Sequence, residues 1–172
     1  LPDTSFDKDM LQIRLLAHRG DHDGAALQTE AQVLAKIVML HGHLQQLIEF
    51  ETKTGHADKA QAIADVSSQL YALFALWPVD QVSPQLIAAL HREDAPAALS
   101  HIRSIFDVLR TPWNGDDSPL FYRLAEAGKL PQTEPAFIDV FRRELETQPE
   151  YDFLRNEPEF QQLLADARER TQ

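Results

Sequence analysis

Apolar positions in this chain recur at steps of three and four, and each run of them stops at a short polar turn. Phe6, Met10, Ile13, Leu16 and Ala17 keep to one helical face over residues 5–19. Thr4 or Ser5 is placed to cap that helix, and Gly20 to end it. From Leu27 the stripe continues through Val33, Ile37, Leu40, Leu44 and Leu47, with only Gly42 to interrupt it. An isolated glycine costs a helix about 1 kcal/mol relative to alanine. One helix over about 22–53 and a pair of helices therefore both fit, and the pattern leans towards a continuous or kinked one.

A third stripe, Ala60, Ile63, Val66, Leu70, Phe74 and Trp77, runs up to Pro78, where a proline is expected to stop it. Later helices announce themselves through proline in the first turn, where its missing N–H costs nothing. Ser83-Pro84, Ser118-Pro119 and Asn156-Glu157-Pro158-Glu159 read as such starts, the last with Glu159 at the capping-box position. Between them, Leu99, Ile102, Ile105, Phe106 and Leu109 predict a helix over 97–110, and Phe137, Ile138, Val140 and Phe141 another over 136–145. Period-two runs of β-branched residues are absent. The expected fold is all-α: antiparallel helical hairpins, about seven or eight helices, in one domain spanning 1–172. Its hairpin units are expected at about 5–54, 55–92, 93–128 and 129–172.

The turns between the stripes resemble one another. Gly20-Asp21-His22-Asp23-Gly24-Ala25 returns as Gly55-His56-Ala57-Asp58-Lys59-Ala60 and as Glu93-Asp94-Ala95-Pro96-Ala97-Ala98. Gly20 to Gly55 is 35 residues, Gly55 to Glu93 is 38, and Gly128 lies 35 further on. A period of this size marks stacked helix pairs, each unable to bury its apolar face alone. The glycine-acid turn followed by alanine, at this period, resembles the tetratricopeptide repeat. The tail from Pro149 to Leu164, with Leu154-Arg155 leading into Pro158 and Phe160, is similar to the segment that closes such arrays in bacterial membrane-anchored regulators and signalling proteins. The resemblance implies a concave surface that receives a peptide segment or a partner helix. The chain departs from the pattern near residue 40, where no proline separates two units, and at Gly128-Lys129-Leu130-Pro131. A tetratricopeptide-like array and a compact bundle both remain open.

Charge narrows the partners. A formal charge of −11 and a pI near 4.9 argue against nucleic acid and anionic membrane surfaces, which call for a basic footprint. Zero cysteines exclude disulfides and thiolate chemistry. No stretch approaches the roughly 20 apolar residues that span a bilayer, so the chain reads as soluble, whether periplasmic or cytoplasmic, without direct membrane insertion. Its start at Leu1 points to material removed ahead of it, either an export signal or the rest of a longer protein.

Candidate chemistry is sparse. Among the histidines, His18 and His22 are four apart but straddle Gly20, and His41 and His43 fall on different helix faces, so no metal site is expected. Nucleophile elbows and phosphate loops are absent, and no motif asks for a cofactor. The expected function is a non-enzymatic scaffold or adaptor module that binds a protein or peptide, or a second copy of itself. The alternative is a sensory or regulatory domain of a larger bacterial signalling or transcription-regulating protein. Twelve of the fourteen aromatic residues lie from Tyr71 onward, which places any pocket in the second half. Trp113, Phe121, Tyr122 and Trp77 are the partner-binding candidates, because indole and phenol rings favour recognition surfaces.

Overall fold

Five helix ends in this protein are closed by the same pair of backbone hydrogen bonds. The computed structural model describes residues 8–111, 113, 118–130 and 136–169, and every element among them is helical. In chain order these are α1 (Lys8–His18), α2 (His22–Lys53), α3 (Ala57–Leu73), α4 (Pro78–His91), α5 (Ala95–Leu109), α6 (Tyr122–Glu126), α7 (Ala136–Thr147), a 3-10 helix (Pro149–Leu154) and α8 (Pro158–Glu169). The all-α expectation holds. The stripe from Leu27 to Leu47 is one continuous helix with Gly42 inside it. The cap expected at Thr4 or Ser5 and most of the Thr111–Asp117 turn lie outside the described residues.

The repeated turns are Schellman caps, in which a left-handed residue folds two amides back onto the last helical turn. After α1, Gly20 has φ +81°, its amide donates to Ala17 O at 3.0 Å, and Asp21 N donates to Leu16 O at 3.0 Å. After α2, Gly55 has φ +83°, with Gly55 N on Thr52 O at 2.9 Å and His56 N on Glu51 O at 2.8 Å. Glu93 closes α4 and Gly128 closes α6 with the same two bonds. The residue after the cap then begins the next helix. Ala25, Ala60 and Ala98 each donate an amide to it, at 3.1, 3.1 and 2.9 Å, and are buried where a larger side chain would part the helices. Gly128 thus stops a helix as cleanly as Gly20 does.

The fifth cap, like that at Glu93, has no glycine. Ala75, at φ +49°, closes α3 through Ala75 N on Ala72 O at 3.1 Å and Leu76 N on Tyr71 O at 3.4 Å. A Cβ in the left-handed region costs about 1–2 kcal/mol, part of which glycine returns as unfolded-state entropy. Ala75→Gly is therefore expected to raise stability by about 0.5–1 kcal/mol. A shift of the urea midpoint to higher concentration, at constant slope, would show it.

Three proline expectations are corrected. Pro78 does not stop α3, which has already ended at Leu73; it opens α4 as its first residue, behind Trp77. Pro84 does not start a helix but sits fully buried inside α4. Its ring removes the amide that Asp80 O would have met, and Ser83 Oγ takes up the neighbouring Val79 O at 2.8 Å. Ser118-Pro119 begins a turn, with Phe121 N on Ser118 O at 3.3 Å, and the helix that follows has only five residues. Glu159 is the second residue of α8, one place short of a capping box, and its carboxylate pairs with Arg103.

The chain forms two compact units, Leu1–Leu40 with Gly115–Leu130, and His41–Asn114 with Pro131–Gln172, and the division falls inside α2. In the first, Ala25, Ile37, Phe121, Leu124 and Leu130 are buried, while α1 buries none of its residues. Glu30 is buried there and accepts hydrogen bonds from Arg123 Nη1 at 3.2 Å and from the Leu124 amide at 3.1 Å.

The second unit carries the main core. Consecutive helices α3, α4 and α5 pack on one another, and their short connections make them antiparallel. Ala60, Ala64 and Ala88 let α3 and α4 approach closely beside Ile48 of α2. On the other side, Leu86 and Leu90 of α4, and Leu99, Ile102, Ile105 and Phe106 of α5, meet Leu145, Tyr151, Leu154, Phe160 and Leu164 from the C-terminal segments.

Candidate functional site

The packing of α4, α5, α7 and the 3-10 helix leaves one side of the second unit unfilled. An apolar cavity of about 410 Å³ opens there, walled by Val79, Leu86 and Leu90 of α4, Ile105 and Leu109 of α5, and Phe137, Val140 and Phe141 of α7, with Trp77 beside them. The Trp77 ring meets Phe137 edge-on, centroids 5.0 Å apart at 79°. Phe141 is held the same way against Phe106, at 5.2 Å and 63°. Both geometries set the positive edge of one ring on the negative face of the other and fix the aromatic wall. Val140 is 58% exposed, which leaves the α7 wall open to solvent.

The polar side chains of the lining are Gln45, Ser83, Glu144, Glu150 and Tyr151; the two glutamates are exposed and Tyr151 is buried. Tyr151 Oη donates to Glu144 Oε1 at 3.4 Å, and burial followed by the neighbouring carboxylates pushes the phenol well above its ordinary range. Burial and the nearby Glu150 raise the Glu144 carboxyl as well. Among the described residues neither Glu144 nor Glu150 makes a salt bridge. Of the nearby arginines, Arg142 pairs with Asp139 at 3.1 Å and Glu146 at 2.8 Å, Arg168 with Glu146 at 2.6 Å and Arg155 with Asp152 at 2.7 Å, while Arg143, exposed on α7, makes no salt bridge among the described residues.

A second polar group adjoins the cavity through Gln45. His41 stands edge-on to Tyr71, ring centroids 4.7 Å apart, with Gln45 Nε2 at 2.7 Å and Asp80 Oδ1 at 3.9 Å from its Nε2. His41 Nδ1 is buried and has no hydrogen-bond partner among the described residues. Burial lowers the His41 pKa against the pull of Asp80, raises that of Asp80, and raises Tyr71 to about 12. His101 is lowered too, by burial and by Arg92.

These shifts fix a sign. Unfolded imidazoles take up protons below about pH 6.5, whereas the folded His41 and His101 resist them. Stability is therefore expected to fall as pH drops below that value. Asp80, raised in the folded state, works in the opposite direction in the carboxylate range. Thermal unfolding between pH 8 and pH 5 should show the fall, and the His41→Gln/His101→Gln double variant should flatten it. An unchanged slope in the double variant would place the titration elsewhere.

The four residues singled out from sequence do not share one unit. Trp77 lines the cavity. Trp113 belongs to the same unit and is half-buried. Phe121 is fully buried in the other unit, so it presents no surface. Tyr122, 39% exposed, lies in that unit under the Arg123 guanidinium, 4.5 Å from its ring centroid. The remaining wall residues were not singled out, because Leu, Ile, Val and Phe at helical spacing read as ordinary core. Among the described residues no group of three or more His, Asp or Glu is placed to hold a metal ion.

What the fold and the cavity define is an all-helical domain with an open apolar pocket. Comparison with protein-family models, with curated proteins and with solved structures gives no match. Among the described residues no helix is long and apolar enough to cross a membrane.

Proposed function

We propose that the protein is a non-enzymatic interaction module that captures a peptide or partner helix by an apolar side chain set into the Trp77–Phe137 cavity. The observation that carries this reading is the cavity: a wall of aromatic and aliphatic side chains with Val140 exposed at its α7 side and few polar groups in the lining. Sites of this composition bind by burying an apolar anchor, and a few polar groups orient it. The one hydroxyl–carboxylate pair of the lining, Tyr151 with Glu144, holds a phenol whose pKa is raised and not lowered, which favours binding over catalysis. The turns that resemble tetratricopeptide repeats point the same way.

A second reading, a sensory or regulatory domain of a larger bacterial signalling or transcription-regulating protein, rests on the tail. Tyr151, Leu154, Phe160 and Leu164 of that segment bury themselves in the core, as a closing segment would. The two readings share the cavity and differ in what lies beyond this chain.

Panning a random peptide library on the protein, with counter-selection on Ser83→Trp, tests the first reading. Ser83 is a small residue on the lining, so the indole fills the space without removing a core side chain. Enriched peptides should share a large apolar residue and lose binding to Ser83→Trp and to Val140→Asp. Peptides that bind all three proteins equally would remove the cavity from the account.

A further inference from the structure

Resting on the interaction reading, we propose that this site selects a cationic amphipathic segment, with an apolar side chain in the cavity and a lysine or arginine one helical turn away on Glu144 and Glu150. A second groove, of about 500 Å³, adjoins the cavity and shares Ile87, Leu90 and Glu150 with it. Its lining adds Phe153 and Pro149 as apolar surface, and Glu93 and Asp152 as carboxylates, with His91 as the one basic side chain. A segment that fills the cavity and continues along this groove therefore passes four carboxylates.

Those carboxylates are unequal. Asp152 is already paired with Arg155 at 2.7 Å. Glu93, Glu144 and Glu150 make no salt bridge among the described residues, while Arg142, Arg155 and Arg168 pair with Asp139, Asp152 and Glu146. Ile87 and Leu90 make the junction apolar, and the charged side chains of the two linings are carboxylates apart from His91. An anionic segment would bring like charge onto Glu144 and Glu150, and a neutral one would leave their charge unanswered. A cation flanking the apolar anchor answers both features at once, which is the complementarity that sets partner choice at an interface. The net charge of −11 extends the same field beyond the groove and favours the encounter.

The test uses two synthetic amphipathic helices of roughly 18 residues, long enough to be helical. They share one Leu and Phe face and differ only in lysine or glutamine along its flank. Fluorescence polarisation against the full chain should show the lysine peptide binding about fivefold to twentyfold more tightly at low salt, since each exposed pair contributes up to about a factor of five. The advantage should vanish in Glu144→Gln/Glu150→Gln and shrink at high salt, while the glutamine peptide binds that variant unchanged.

Equal binding of the two peptides, with both lost in Ser83→Trp, would overturn the charge selection and leave the docking reading standing. A lysine preference that survives in the double glutamine variant would overturn it as well, because the cation would then be read elsewhere. Failure of both peptides to bind would count against the docking reading itself. Val140→Asp repeats the blocking arm at an exposed position, so the outcome does not depend on Ser83→Trp folding.

Discussion

Phe106→Ala is expected to destabilise the His41–Asn114 and Pro131–Gln172 unit by about 3–5 kcal/mol, the loss typical of a large aromatic truncated in a well-packed core. Phe106 is fully buried in the last turn of α5, the helix whose buried face runs from Ala98 to Leu109. It meets Phe141 of α7 edge-on at 5.2 Å, and the Arg110 guanidinium stands 5.9 Å from its ring centroid. Truncation removes the ring from the cluster that joins α4, α5 and the C-terminal segments, and frees Phe141, which walls the cavity. Urea unfolding followed by circular dichroism measures the loss. A cost under about 1 kcal/mol would mean that this core collapses around the deletion or is not centred on α5.

Trp77→Ala is expected to weaken binding of an amphipathic peptide by about thirtyfold or more, the scale of a buried aromatic anchor at an interface. The fold should survive it. Trp77 precedes α4 with φ −45° and ψ 123°, and its side chain does not cap that helix. Pro78 still presets the first turn. What is lost is the edge-on contact with Phe137 and the apolar wall. Trp77→Phe keeps an aromatic ring there and should recover much of the affinity. Isothermal titration with the lysine peptide distinguishes the variants, and equal affinity in all three would mean that the peptide sits elsewhere.

Helix ends were legible wherever the chemistry of stopping is visible in residue type. Gly20, Gly55 and Gly128 reach positive φ without a Cβ penalty, and Asp94 caps α5 by accepting the Ala97 amide at 3.2 Å. The similar look of the turns follows from this, since one cap geometry serves them all. Where an ordinary side chain takes the left-handed position, as Ala75 does, residue type carries no signal and tertiary packing decides. Prolines misled for a related reason. The same residue can stop a helix, open it or lie within it, and Pro78 and Pro84 were separated only by where the neighbouring carbonyls find partners.

The cavity was less legible than the fold. Its walls come from α4, α5 and α7, and a stripe of Leu, Ile and Phe looks the same whether it meets a neighbour or an opening. Trp77 could be singled out because an indole at the end of an apolar stripe is conspicuous. Phe121 looked equally conspicuous beside its turn, yet it packs inward. Glu144 and Glu150 gave no sign in sequence, because a carboxylate six residues from another becomes a pair only when the chain turns between α7 and the 3-10 helix.

The central claim is that the Trp77–Phe137 cavity takes up an apolar anchor, and Trp77 itself can report it. The chain has two tryptophans, so Trp113→Phe leaves Trp77 as the sole indole. Titration of that variant with a lysine peptide free of Trp and Tyr should shift its emission to the blue, saturating at the midpoint found by polarisation. Binding by polarisation with no change in Trp77 emission would contradict the account.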